Sequence, residues 1–319
     1  MRWVVIGAGA IGGGLGGALF RAGERVHFVA RGFRGQALAQ HGLRWRTPDR
    51  DETLPIPTST ADELVPGPDD VLCLATKLHD APDALDSLPA AFAHTPVVTW
   101  TNGVQAPAWA AETGRDVVAA AVVVPATIDD PATATLWGVP HYGAMHLGVT
   151  HGDGTTVRDA MHRALGQAGF DPVSHDDVWP ILRAKWMTNL MGAAQALVRP
   201  EGFEAVALAA LAEGIAVLEH AGVPCADVDA LSPRPITVGT IDGTTRDGGS
   251  TFRSITRGKP LETPYLNGPL VDLARAHGTA APINEALLRW ADVAMDEGWR
   301  APRIGADDVL APSSVDRGT

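Results

Sequence analysis

The chain is poor in what a disulfide framework, a metal centre or a nucleic-acid surface requires. Its 319 residues include only two cysteines, Cys73 and Cys225, far apart and without metal-ligand spacing. Cys73 lies in an apolar run and reads as a small buried hydrophobe. Charged residues make up 19% of the chain and balance at −12, which disfavours nucleic acid or an anionic membrane as partner. No internal repeat or low-complexity tract stands out. With 45% hydrophobic residues, the composition is that of an ordinary globular protein long enough for two domains.

Charge is missing altogether from Trp3 to Phe20, just after Arg2, which gives that stretch the outline of a signal peptide or membrane span. Its glycines at 7, 9, 12, 13, 14, 16 and 17 make it a poor apolar segment. They fit a nucleotide-binding turn better, so a cytoplasmic protein without a membrane partner is expected.

The strand-like Arg2-Trp3-Val4-Val5-Ile6 runs into Gly7-Ala8-Gly9-Ala10-Ile11-Gly12, and a small-residue helix follows. In a dinucleotide-binding turn the first glycine permits the bend and the second admits the pyrophosphate to the backbone. The third lets helix and strand pack closely. The phosphates then rest on N–H groups of the helix N-terminus, here those of Ala10, Ile11 and Gly12. A glycine-rich turn without a ligand is the plain alternative in a chain with 35 glycines. The second strand, Arg25 to Ala30, stands at βαβ distance and argues for the nucleotide site. That strand ends in Ala30-Arg31-Gly32, with Arg34 beyond, and no Asp or Glu occurs between Val26 and Gln40. A carboxylate there would serve the ribose 2′-OH of NADH, whereas an arginine accommodates a 2′-phosphate. Arg31 therefore points to NADPH, against the bland reading of a solvated loop arginine.

Apolar strand candidates are Trp3–Ile6, Val26–Ala30, Asp70–Ala75, Val97–Trp100, Val117–Val124 and Met145–Val149, with helical segments between them. This alternation predicts an α/β fold: a Rossmann-type dinucleotide-binding domain over 1–175, followed by an all-α domain over 176–319. In the second, Asp177 caps a helix over 178–197, another spans 203–220, residues 231–249 form a loop, and Pro269 bends the helix begun at Thr263-Pro264. Residues 303–319 read as a frayed tail.

Carbonyl reduction needs a proton donor near the ketone oxygen and groups that hold the substrate. Lys185 and Asn189, four apart, share one helix face; position alone would make Lys185 a snorkelling surface lysine. Ser250 offers a hydroxyl to a carboxylate or acts as a helix cap. Glu262 would hold a lysine or a substrate hydroxyl, or be a solvated first-turn charge. Lys77 and Asn102 follow the third and fourth strand candidates, where ligands sit in open α/β sheets, unless they are a loop cation and a plain turn.

Together these residues resemble ketopantoate reductase (2-dehydropantoate 2-reductase) over nearly the whole chain. The likeness rests on Gly7-Ala8-Gly9-Ala10-Ile11-Gly12-Gly13 with Ala30-Arg31-Gly32, Thr76-Lys77, Asn102-Gly103-Val104, Lys185…Asn189, and Glu262…Leu266-Asn267-Gly268. Leu273-Ala274-Arg275-Ala276-His277-Gly278 and Pro282-Ile283-Asn284-Glu285 complete it. It implies NADPH-dependent reduction of a small 2-oxo acid, ketopantoate to pantoate as in pantothenate biosynthesis, and leaves a homodimer open. Lys185 would be the general acid and Glu262 its partner. Asn102, Asn189 and Ser250 would orient the substrate, with Lys77 and Asn102 near the cofactor. The chain departs from the family pattern at Ala193, where a second asparagine is usual, at Ser254, often an acid, and at Thr101, often glutamine. The first two lie on the substrate side and point to a different 2-oxo acid or small ketone as the alternative substrate. A β-hydroxyacid dehydrogenase would carry glycine four before the lysine, where Ile181 stands. A non-catalytic NADPH sensor would not need Lys185, Asn189 and Glu262 together.

Overall fold

The computed structural model describes residues 1–311. The chain divides into two compact units, Met1–Leu182 with Asp229–Arg246, and Arg183–Val228 with the residues from Asp247 onward. This division differs from a single break at 175, because segment 229–246 returns to the first unit.

The first unit is built on an eight-stranded sheet. Its strands are β1 (Arg2–Ile6), β2 (Arg25–Val29), β5 (Thr58–Ser59), β6 (Asp70–Leu74), β7 (Val97–Thr99), β8 (Val117–Val123), β12 (Ala144–His151) and β13 (Asp171–Ser174). The order is β13-β12-β8-β7-β6-β1-β2-β5. β1 pairs in parallel with both β2 and β6, so the chain leaves β1 to one side and returns on the other. That reversal puts the switch point of the sheet just beyond Ile6, where open α/β sheets bind their ligands. Only the β8–β12 pairing is antiparallel within this sheet. Strand β1 reads as a continuous apolar run because it is buried on both faces.

A second sheet was not foreseen. It orders β4 (Arg50–Leu54), β3 (Leu43–Thr47), β10 (Thr133–Leu136) and β9 (Ala126–Ile128), and helix α1 (Ala10–Arg21) packs on it as well as on the first. The helix serves both sheets because its faces are almost bare. A Cβ on Gly16 would run into Phe28, one on Gly14 into Leu136, and one on Gly17 into the Trp45 ring. Trp45 Nε1 in turn donates to the Gly14 carbonyl at 3.0 Å. Five glycines of this helix thus answer to packing as well as to a nucleotide. A long-range antiparallel pair, β11 (Gly138–Val139) with β14 (Thr237–Val238), ties the returning segment to the first unit.

The remaining helices of this unit are α2 (Gly32–His41), α3 (Ala81–Asp86), α4 (Gln105–Glu112) and α5 (Thr155–Gln167). The second unit is helical: α6 (Trp179–Leu197, its first turn in the first unit), α7 (Phe203–His220), α8 (Ser250–Thr256), α9 (Thr263–Leu266), α10 (Gly268–Ala276), α11 (Pro282–Asp296) and α12 (Asp307–Leu310). Asp177 Oδ1 accepts from the Trp179 N–H at 3.0 Å and starts α6. Pro269 opens α10 instead of bending a longer helix, since the missing N–H costs nothing in a first turn. A buried knot joins three helices: Asn267 Nδ2 donates to Asn284 Oδ1 at 2.8 Å, and Asn284 Nδ2 donates to the Ala210 carbonyl at 3.1 Å and to Glu213.

The expected tail is partly ordered. Ile304 is buried, bridges to Val198, and leads to α12; residues 312–319 lie outside the described residues. Among the described residues no helix is long and apolar enough to cross a membrane. Nor, among them, does any group of three His, Cys, Asp or Glu stand ready for a metal.

Candidate active site

The glycine turn closes the switch point. Gly7 has φ +93°, which an L side chain rarely adopts, and a Cβ there would stand 2.9 Å from Thr76 Cγ2 at the end of β6. A Cβ on Gly12 would strike the Gly7 carbonyl and press on Val5. Gly9 differs from both: a Cβ would meet nothing within 4 Å, so the space before it is open. The Gly13 N–H makes the first intrahelical bond, to Gly9 O at 2.8 Å. The N–H groups of Ala10, Ile11 and Gly12 therefore sit ahead of the helical ladder, at the positive end of α1. Two hydroxyls near this edge, Thr76 Oγ1 after β6 and Thr101 Oγ1 after β7, are buried without a hydrogen-bond partner. Orphaned buried donors beside an open backbone cradle are what a bound polar ligand would satisfy, and a dinucleotide fits these groups.

Arg31 and Arg34 have different fates. Arg34 is pinned: its Nε donates to the Ala8 carbonyl, and Nη1 donates to the carbonyls of Pro131, at 2.7 Å, and Asp130, at 3.2 Å. Burial lowers this guanidinium to about 10, which still leaves it charged near neutrality. It buttresses the turn from behind. Arg31, by contrast, caps α2 with its side chain 82% exposed, and Nη2 lies 3.1 Å from Asp80 Oδ1. Lys77 precedes the single 3₁₀ turn that ends in Asp80, whose N–H donates to the Lys77 carbonyl at 3.0 Å. Asn102 follows β7 and is half-buried, next to Gly103 at φ +75°. All of these groups belong to the first unit.

The second unit holds Lys185, Asn189, Ser250 and Glu262. Lys185 Nζ donates to Asn189 Oδ1 at 2.8 Å, one turn on along α6, so the pair expected from spacing is formed. Both residues are partly buried. Helices α6 and α8 approach closely because a Cβ on Gly192 would lie 2.7 Å from Thr251 Oγ1, and Gln195 Oε1 accepts the Gly249 N–H at 2.7 Å. Ser250 is exposed in the first turn of α8, and Gly249 rather than Ser250 is the cap. Glu262 is 3% exposed, which rules out a solvated first-turn charge. A carboxylate this deep is costly unless paired. Ala193 is 2% exposed within the apolar core of this unit, and Ser254 Oγ turns back onto the Ser250 carbonyl at 3.1 Å. Asn267, read beside Glu262, gives its Nδ2 to the Asn284 knot, and its buried Oδ1 has no hydrogen-bond partner.

Comparison with known proteins agrees with this layout. Residues 3–152 match the family described as ketopantoate reductase PanE/ApbA, and residues 187–294 match its C-terminal part. The 2-dehydropantoate 2-reductase of Pyrococcus horikoshii is 23% identical over 312 residues, covering 93% of this chain and 98% of its own. The crystal structure of a PanE/ApbA family ketopantoate reductase from Ralstonia eutropha JMP134 superimposes with TM-score 0.76 at 28% identity, covering 93% of this chain and 99% of that one. A ternary structure of D-mandelate dehydrogenase with NADH and anilino(oxo)acetate shares the fold, with TM-score 0.76 at 17% identity over 93% and 99% of the two chains. With the glycine turn, the strand order and both family matches in agreement, this chain belongs to the ketopantoate reductase family of oxidoreductases.

Proposed function

We propose that this protein reduces a 2-oxo acid to the 2-hydroxy acid with NADPH, and that the substrate is 2-dehydropantoate, giving pantoate. The observation that carries the reading is the Lys185–Asn189 hydrogen bond on one face of α6. The dinucleotide, when bound, supplies a hydride to C2 of the oxo acid. Lys185 donates a proton to the ketone oxygen, and Asn189 fixes the direction of its ammonium group. Glu262 holds the charge on the lysine or the forming hydroxyl, and Asn102 and Ser250 orient the substrate. Ala10, Ile11 and Gly12 receive the pyrophosphate, with Lys77 and Asn102 near the cofactor. Arg31 is the arginine for the 2′-phosphate, because Arg34 is committed to three carbonyls.

A different 2-oxo acid is the second reading, and Ala193 and Ser254 favour it. Neither presents an amide or an acid to a substrate hydroxyl: one packs in the core and the other bonds to its own helix. A site built to bond a hydroxyl discriminates through such groups. Consumption of NADPH with 2-dehydropantoate as sole substrate tests the first reading. Saturable turnover supports it. Turnover only with other 2-oxo acids supports the second, and bound NADPH with no turnover across a panel of 2-oxo acids would end both.

A further inference from the structure

The loop after β2 lacks the carboxylate that would serve an unphosphorylated ribose, yet the structure brings one there from elsewhere. Asp80 stands 49 residues from Arg31, at the end of the 3₁₀ turn after β6, and its Oδ1 lies 3.1 Å from Arg31 Nη2. β2 and β6 flank β1 on either side, so the two loops that carry these groups border the glycine turn. Asp80 is 39% exposed and also faces His79 Nε2 at 3.6 Å, with Lys77 opening the same turn. The group best placed for a 2′-phosphate is thus already engaged by an anion.

We propose that Asp80 is a specificity-determining residue for the cofactor. It competes with the 2′-phosphate for Arg31, and it offers an acceptor to the 2′-hydroxyl of the unphosphorylated dinucleotide. Both effects narrow the preference for NADP over NAD. This rests on the reading that Arg31 takes the 2′-phosphate. The Asp80 carboxylate opposes a dianionic group and holds the guanidinium that would bind it. Binding of the phosphorylated form therefore breaks one ion pair and places like charges side by side, whereas binding of NAD does neither.

Calorimetric titration of Asp80→Asn with NADP⁺ and with NAD⁺ tests the proposal on the intact chain. Asparagine keeps the shape at an exposed position and removes the charge. The ratio of NADP⁺ to NAD⁺ affinity is expected to rise by about 1.5- to fivefold, the range that an exposed ion pair can account for. Arg31→Ala, titrated in parallel, is expected to abolish most of the preference. If Arg31→Ala collapses the ratio while Asp80→Asn leaves it unchanged, the Asp80 role is overturned and the Arg31 assignment stands. If Arg31→Ala leaves the ratio unchanged, the 2′-phosphate assignment fails and the Asp80 role fails with it.

Discussion

Of the 25 basic residues only Lys77, Lys185 and Lys259 are lysine, and two of these fall at candidate site positions. Arginine meets nearly every demand for a surface cation here, with the exposed Lys259 as the exception, so the other two lysines stand out as places where lysine chemistry differs. An ammonium can hand a proton to a forming alkoxide, whereas a guanidinium holds its protons far more firmly. Lys185→Arg is therefore expected to lose turnover although the charge stays, and Lys185→Ala to lose about 10²–10⁴-fold in kcat. Fluorescence titration should show NADPH affinity within about twofold of the parent for both variants, since only uniform binding losses raise Kd. Retained turnover in Lys185→Arg would remove lysine from the proton step. The lysine count was available in the sequence; Glu262's burial and Asp80's approach to Arg31 were not. The latter rest on contacts made across many residues of chain, and local spacing cannot report them.

At the scale of the element, local rules carried far. All six apolar runs read as strands are strands, and the helix over 203–220 has its expected ends, because an apolar run or a 3.6-residue stripe declares itself within a few residues. The second sheet escaped since β3 and β4 are rich in charge and lack an apolar run, and β3 pairs with β10 some ninety residues on. Its one local trace was the excess of glycine in α1, read as a nucleotide signal alone. Gly17→Ala is expected to destabilise the fold by about 1–3 kcal/mol, by driving a methyl into Trp45. Chemical denaturation should show the loss, and an unchanged midpoint would mean that α1 and the second sheet do not meet as closely as described. Asn284→Ala should cost a similar amount, about 1–3 kcal/mol, by leaving Asn267 and the Ala210 carbonyl unpartnered in the interior.

On the scale of the molecule, the segment Asp229–Arg246 makes the first unit discontinuous in sequence, which no boundary drawn on composition could show. Its anchors include Arg234, paired with Asp171, and the Leu231 carbonyl, 3.0 Å from His146 Nε2. His146 is 1% exposed, and its Nδ1 faces His175 Nε2 at 2.9 Å. Burial lowers both histidines below their ordinary value of 6.5, with the Leu231 carbonyl and Asp171 opposing the shift at His146. A depressed folded value means that the neutral forms are the stable ones. The stabilisation is complete above about pH 6.5 and is lost as pH falls through the folded values. Thermal unfolding followed across mildly acidic pH should show Tm falling, with a shallower fall in His146→Gln; parallel slopes would clear the histidine pair of the effect. The glycine-rich helix α1 has a consequence for how the protein can change. Its seat between two sheets leaves it no room to accept substitutions, so adaptation to a new dinucleotide is confined to the loops after β2 and β6. A saturation-mutagenesis map should therefore show Gly12, Gly14, Gly16 and Gly17 almost immutable beside tolerant positions at the exposed Phe33 and at Asp80: a fixed anvil with adjustable jaws.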